Sequence, residues 1–151
     1  MVTLFKFMVM VTQNKFTKTD QEKKIEELHR DLLQWKSHIQ LMQDELTFID
    51  HLLNSYIFEP NTPNLFERLQ GYKDRIKQVK LSRQQVRKMI MQHEKNLGGM
   101  LECSSNECDK MYYQKHEKNK AEFVLCMENF KNLKSEIFNY AGGILKQRKP
   151  Y

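Results

Sequence analysis

The segment "DQEKKIEELHRDLLQWKSHIQLMQDELTFIDHLLNSY", residues 20–56, decides the fold because its apolar residues alternate at spacings of three and four. Such a repeat, with a period of about 3.5 residues, is typical of a helix that packs along one seam against other helices. The seam consists of Ile25, Leu28, Leu32, Trp35, Ile39, Met42, Leu46, Ile49, Leu53 and Tyr56. We therefore predict one helix over residues 20–56, about 55 Å long, with Thr19 or Asp20 as its N-cap.

Two further segments repeat this pattern, separated by stretches that interrupt a helix. The turn "FEPNTPN", residues 58–64, contains two prolines, and Gly98-Gly99 ends the second pattern. The second seam consists of Leu69, Tyr72, Ile76, Val79, Arg83, Val86, Ile90, His93 and Leu97. The third consists of Tyr112, His116, Asn119, Phe123, Cys126, Phe130, Leu133, Ile137, Tyr140 and Ile144. We predict helices over residues 63–97 and 109–141, with Thr62-Pro63 opening the second and Asp109 as a candidate cap of the third.

The three seams match one another in length when each helix is folded back on the one before it. The fold class predicted is therefore all-α, an antiparallel three-helix bundle with coiled-coil-like heptad packing, over residues 19–145. Residues 1–18 are expected to be a leader, disordered or not native, and residues 146–151 a basic tail. A heptad pattern by itself does not distinguish helix packing within one chain from helix packing between two chains. Apolar residues off the seams favour self-association or a protein partner, and they are Leu33, Leu41, Phe48, Leu52, Met127 and Phe138.

Composition places the chain in one helical domain. Its 151 residues include only five Gly and three Pro. Three cysteines are too few for a disulfide framework and favour the cytoplasm, although a bridge between Cys103 and Cys108 remains open in an oxidising compartment. The apolar run "MVTLFKFMVMV" at residues 1–11 is shorter than the roughly 20 residues of a membrane span. We expect a cytoplasmic protein without a membrane anchor.

The tetrapeptide "HEKN" occurs twice, at residues 93–96 and 116–119. In an antiparallel helix pair the two copies run in opposite directions, so only their histidines meet. Zinc is a candidate cofactor there, with His29, His93, Cys103, Cys108 and His116 as the candidate ligands. Their spacing matches no strong zinc pattern, so packing is the preferred interpretation. Two partly buried imidazoles that face each other would also resist protonation, so the pKa of each would be lowered in the folded protein. The protein would then lose stability as the pH falls below about 6.5.

Charge is distributed unevenly between the predicted helices. Residues 20–56 contain four Lys or Arg and eight Asp or Glu, whereas residues 68–95 contain nine and two. We interpret the contrast as charge complementarity between neighbouring helices. Nonspecific nucleic-acid binding is the competing hypothesis, with Lys73, Arg75, Lys77, Lys80, Arg87 and Lys88 as the candidate phosphate contacts. Arg83 occupies a seam position, where we expect it to stack on Trp35 or to reach a carboxylate of the first helix.

No arrangement typical of catalysis is found in the sequence. There is no activated Ser or Cys, no phosphate-binding Gly loop and no convergent carboxylate pair, and we identify no small-molecule substrate. We predict a non-enzymatic structural or protein-interaction bundle that could form homo-oligomers. The alternative is a metal-binding or thiol-responsive protein, and the third hypothesis is nucleic-acid binding.

The runs "WKSHIQLMQDELTFIDHLL" and "QHEKNLGGMLEC" carry a resemblance to a known group. The chain resembles small helical proteins of flavobacteria and their relatives, a group without an established function, over most of residues 20–145. The resemblance implies a bacterial, cytoplasmic bundle and a leader that is not native before about Thr19. It supplies no catalytic or binding residue.

Overall fold

The computed structural model describes residues 16–58 and 64–148 of the chain. Within them the chain forms helices α1 (Lys18–Leu53), α2 (Leu65–Leu97) and α3 (Asn106–Gln147), with a 3₁₀ helix at Gly98–Glu102 and no strand. The predicted all-α three-helix bundle is therefore confirmed. Of the predicted leader, residues 1–15 lie outside the described residues, as do residues 149–151 of the predicted tail. No helix in the described part is both long and apolar enough to cross a membrane.

The first helix begins slightly earlier than predicted. Thr17 is the N-cap, since its Oγ1 accepts a hydrogen bond from the backbone N–H of Asp20 at 3.1 Å. The carboxylate of Asp20 accepts one in return from the backbone N–H of Thr17 at 3.3 Å, which completes a reciprocal capping box. These two bonds, the backbone one first, hold the pKa of Asp20 below its ordinary value. The prediction of Thr19 or Asp20 as the N-cap was wrong.

The same helix ends at Leu53, three residues before the predicted end. Asn54 Nδ2 donates to the Asp50 carbonyl oxygen at 2.8 Å, and Ser55 Oγ donates to the Leu52 carbonyl oxygen at 2.7 Å. Such local side-chain bonds compete with helix continuation. The predicted core position of Tyr56 was therefore wrong, because Tyr56 is 82% exposed and Phe58 is buried instead.

The second helix begins at Leu65, directly after Asn64, whose φ of 57° lies in the left-handed region that Asn tolerates. The predicted opening at Thr62-Pro63 falls outside the described residues.

The third helix is longer at both ends than predicted. It begins at Asn106 because Ser105 Oγ accepts the backbone N–H of Cys108 at 3.2 Å, which makes Ser105 the cap instead of Asp109. The helix continues to Gln147 through Gly142-Gly143. A helical glycine costs only about 1 kcal/mol relative to alanine, and buried Ile144 beyond the pair keeps that last segment packed.

Contacts divide the bundle into two compact units, each drawing on all three helices. The histidine unit contains residues 16–36 and 88–121, and the tyrosine unit contains residues 37–58, 64–87 and 122–148. The core of the tyrosine unit is almost wholly apolar, and its most deeply buried residues are Ile39, Met42, Leu46, Ile49, Leu53, Ile76, Phe130, Leu133 and Ile137. They occupy the seam positions that the heptad pattern predicts.

Arg83 is the buried charge in this apolar core. Its Nε donates to the backbone oxygen of Ile39 at 2.9 Å, and burial lowers the pKa of the guanidinium from its ordinary value. The predicted partner of Arg83 was the indole of Trp35 or a carboxylate of the first helix, whereas the observed partner is a backbone carbonyl oxygen. A backbone carbonyl oxygen has two lone pairs, so that of Ile39 can accept this extra bond without losing its helical one.

Candidate functional site

The histidine unit brings together the two histidines of the repeated tetrapeptide. Nε2 of His93 lies 3.0 Å from Nδ1 of His116, and both residues are buried. Nε2 of His116 lies 2.8 Å from the carboxylate of Asp31, which reaches in from α1 with half of its side chain exposed. The three groups therefore form one hydrogen-bonded chain from the surface to the core.

The order of donors in this chain follows from the carboxylate. An ionised carboxylate only accepts, so Nε2–H of His116 donates to Asp31, and Nδ1 of a neutral His116 accepts from Nε2–H of His93. Burial, followed by the charges of His116 and then Lys115, lowers the pKa of His93 to about 4. His93 is therefore neutral near pH 7, and its protonation at lower pH would place a positive charge in the core.

Trp35 packs against one member of the histidine pair. Its indole stacks on the imidazole of His116 with ring centroids 4.8 Å apart and planes inclined by 24°. Because Trp35 is the only tryptophan in the chain, its fluorescence reports directly on this layer.

The third histidine predicted for this site lies elsewhere. Nε2 of His29 lies 3.1 Å from the carboxylate of Glu94, which also accepts from Lys36 Nζ at 3.1 Å. Burial acts to raise the pKa of Glu94, but the bonds and charges of Lys36 and His29 outweigh it, so this pKa lies below its ordinary value. His29 therefore belongs to a surface ion-pair cluster, separate from the histidine pair.

The two loop cysteines form a disulfide. Cys103 and Cys108 are bonded to each other, with Cα atoms 5.5 Å apart, which places both sulfurs outside metal coordination in this state. Among residues 16–58 and 64–148, no group of three or more His, Cys, Asp or Glu side chains is arranged to hold a metal ion. The five predicted ligands are thus divided among a histidine pair, a disulfide and an ion-pair cluster. Zinc binding remains a prediction for the reduced protein.

A buried polar cluster that the sequence analysis missed holds this loop against α1. Gln21 Nε2 donates to the Met100 carbonyl oxygen at 2.8 Å and to Asp109 Oδ1 at 2.9 Å. Lys24 Nζ donates to Asp109 Oδ2 at 2.7 Å and to Gln21 Oε1 at 3.0 Å. Gln21 and Asp109 are almost fully buried, and each polar atom of their side chains has a partner. We call this the glutamine clamp.

A signal for the clamp was present in the heptad pattern. Gln21 lies one heptad before Leu28, and Asp109 lies one heptad before His116, so both extend the predicted seams. The predicted seams begin at Ile25 and Tyr112, the first apolar residue of each pattern, so Gln21 and Asp109 lie just before them. A polar residue in seam register is therefore better interpreted as a buried partner than as the end of the core.

The six basic residues predicted to contact phosphates are dispersed on α2. Arg75 pairs with Glu136, and Lys80 pairs with Asp50, so two of the candidates are engaged within the bundle. Lys77, Arg87 and Lys88 are exposed. The pairing of Lys80 with an α1 carboxylate agrees with the interpretation as charge complementarity, and nucleic-acid binding stays a prediction.

A ridge of exposed apolar side chains lies on the tyrosine unit. Phe48 of α1 is 58% exposed, Phe138 of α3 is 40% exposed, and their rings meet edge to face at 6.3 Å between centroids. Leu41 lies one heptad before Phe48, and Leu145 lies one heptad after Phe138, so they extend the same helix faces at 54% and 48% exposure. We call these four residues the apolar ridge. Three of them, Leu41, Phe48 and Phe138, were singled out from the sequence.

An open groove of about 880 Å³ runs between α2 and α3 in the same unit. Gly71 and Gly143 line it and leave space where side chains would stand, and Arg68 lies over the ring of Tyr140 with 4.8 Å to the centroid. This groove was not predictable from the sequence, because glycines at exposed helical positions carry no signal for a cavity.

No protein-family model, curated protein or solved structure matches this chain. The function proposed below therefore rests on the geometry of the two units.

Proposed function

We propose that this protein is a non-enzymatic helical bundle that associates with a second copy of itself through the apolar ridge. The observation that supports the proposal is the ridge itself, in which Phe48 and Phe138 present two contacting aromatic rings to solvent. Aromatic residues contribute most to the centres of protein interfaces. A bundle that needs no partner gains nothing by exposing them.

The spacing of the ridge suits a helical partner. Leu41 and Phe48 are one heptad apart, as are Phe138 and Leu145, which is the spacing of residues at one and the same heptad position. A two-fold axis through the ridge would place the same four residues on both sides.

Charges beside the ridge are compatible with self-association. Lys134 of α3 is hydrogen-bonded to Glu45 of α1, so both signs of charge flank the aromatic pair. Because these two charges pair within one chain, neither presents an unpaired charge of a single sign that would repel a second copy.

The test is the mass of the protein in solution as a function of concentration. Sedimentation equilibrium should give a dimer for the wild type and a monomer for Phe48→Lys, because a charge at the centre of the ridge must be desolvated in the interface. Phe66→Lys is the matched control, since Phe66 is 82% exposed and lies outside the ridge. A wild type that stays monomeric, or a Phe66 variant that dissociates equally, would contradict the proposal.

A further inference from the structure

The two sulfurs of the disulfide lie in different surroundings. Cys103 is only 3% exposed, whereas Cys108 is half-buried. Thiol–disulfide exchange begins when a thiolate attacks one sulfur in line with the bond, and access decides which sulfur it reaches. Of the two cysteines, Cys108 is the more accessible residue.

The position of Cys108 also suits a thiolate. Cys108 is the third residue of α3, within the first turn, where the positive end of the helix dipole stabilises negative charge. Two carboxylates flank it in sequence, Glu107 and Asp109, and they oppose this effect. Lys24 offsets one of them, because its ammonium group pairs with Asp109 at 2.7 Å.

The glutamine clamp holds the loop in place without the covalent bond. The Met100 carbonyl oxygen accepts both the backbone N–H of Cys103 at 3.1 Å and the amide of Gln21 at 2.8 Å. At the other end, Asp109 follows Cys108 directly and is bonded to Gln21 and Lys24. Breaking the disulfide therefore removes the covalent link between Cys103 and Cys108 while both ends of the loop remain anchored to α1.

We infer that the Cys103–Cys108 disulfide is an exchangeable redox site whose reaction partner is a dithiol, and that Cys108 is the sulfur attacked. A thiolate of the dithiol attacks Cys108 Sγ, the bond between the two protein sulfurs breaks, and Cys103 leaves as a thiolate that takes up a proton. The second thiol of the partner then displaces Cys108 from the mixed disulfide. Two electrons pass from the dithiol to the protein, which ends with two thiols while the partner ends as a disulfide. The inference does not depend on self-association, so either can fail alone.

The first experiment asks whether the folded protein exchanges. Wild-type protein is incubated with millimolar dithiothreitol, alkylated and analysed by intact mass, while circular dichroism records its helicity. We expect Cys103 and Cys108 to be alkylated with helicity unchanged. Cys126 is the internal control, because it is a free cysteine buried in the core and should stay unmodified. Reduction that occurs only after urea has unfolded the helices would overturn the inference, since it would make the disulfide purely structural.

The second experiment tests which sulfur reacts. Cys103→Ser and Cys108→Ser are each treated with oxidised glutathione, and the mixed disulfide is followed by mass. We expect the variant that retains Cys108 to react at least about tenfold faster, because Cys108 is the more exposed of the two and lies in the first turn of α3. If either variant fails to fold, N-ethylmaleimide labelling of the reduced wild type, mapped by peptide, measures the same order. Equal rates, or faster reaction at Cys103, would overturn the assignment.

Discussion

The histidine unit and the tyrosine unit share one heptad pattern but differ in the polarity of the side chains that they bury at its positions. At seam positions the histidine unit buries Gln21, His93, Asp109, His116 and Asn119. The tyrosine unit buries aliphatic and aromatic side chains at the equivalent positions, with Arg83 as its buried charge. The same periodicity thus places several buried polar groups among apolar residues such as Leu32 and Ile90 in one unit, and builds an almost wholly apolar core in the other.

This difference separates two ways of stabilising a bundle. The contribution of buried apolar area to stability does not depend on the protonation state of the side chains that provide it. A buried polar chain contributes only while each member keeps its partner and its protonation state. The histidine unit is therefore expected to respond to pH and to loss of a partner, and the tyrosine unit is expected to respond to neither.

The largest effect should come from removing a core ring of the tyrosine unit. Phe130 is 2% exposed, and Phe130→Ala should cost about 3–5 kcal/mol of unfolding free energy through lost burial and the cavity left behind. Urea denaturation at pH 8 and at pH 5 measures it, and the loss should be the same at both. Phe66→Ala is the control, because its exposed ring should cost about 0.5 kcal/mol or less. A pH-dependent loss at Phe130 would remove the contrast between the units.

The next effect concerns acid. The folded-state pKa of His93 is about 4 against an ordinary value of 6.5, so the unfolded chain binds the proton first as pH falls. Stability should therefore be complete above about pH 6.5 and fall towards pH 4, by up to about 3 kcal/mol. The groups facing His93 are His116 and Lys115 on α3, and Asp31 acts on the far ring through His116. Urea midpoints across this range, with Trp35 fluorescence as the probe, measure the loss.

A pair of variants assigns this loss to one residue. His93→Gln retains an amide that can donate to His116 Nδ1 but cannot be protonated, so it should flatten the profile between pH 6.5 and 4. His51→Gln removes an exposed histidine and should leave the profile unchanged. Equal flattening by both variants would assign the acid response to surface charge.

A third effect tests the glutamine clamp. Gln21→Ala leaves Asp109 and the Met100 carbonyl without their amide donor, which should cost about 1–3 kcal/mol of unfolding free energy. Gln40→Ala, at an exposed position of the same helix, should be close to neutral. Thermal unfolding of the two variants side by side makes the measurement. A neutral Gln21 variant would mean that water replaces the clamp without loss.

The fold was predictable from sequence because the heptad pattern depends on side-chain burial alone. Seam positions such as Leu46 and Ile137 were identified correctly for that reason. The helix ends were not, since they depend on single hydrogen bonds of Ser105, Thr17 and Asn54 that periodicity does not encode.

The candidate site was predictable only in part. The pairing of His93 with His116 followed from antiparallel register, which brings two sequence positions into one layer. The role of Asp31 did not, because its carboxylate reaches His116 from an outer helix face that the heptad pattern describes as solvent. The position of His29 was mispredicted for a related reason. Its neighbour Leu28 is in the seam, but His29 itself points towards Glu94.

The smallest predicted effect is an increase in unfolding free energy, and it tests the contrast between the two units most directly. The hydroxyl of Tyr140 is buried and has no hydrogen-bond partner among the described residues, while its ring packs against Phe58 and Tyr72. Tyr140→Phe removes that unpaired group and keeps the ring, so unfolding free energy should rise by up to about 1 kcal/mol.

Tyr56→Phe, at an exposed tyrosine, is the matched control and should change nothing. If Tyr140→Phe instead destabilises the protein, the hydroxyl has a partner in solution, such as a bound water, and the tyrosine unit depends on a polar contact as the histidine unit does. If it stabilises, the two units differ in kind: deleting a polar atom strengthens one and, at Gln21, weakens the other.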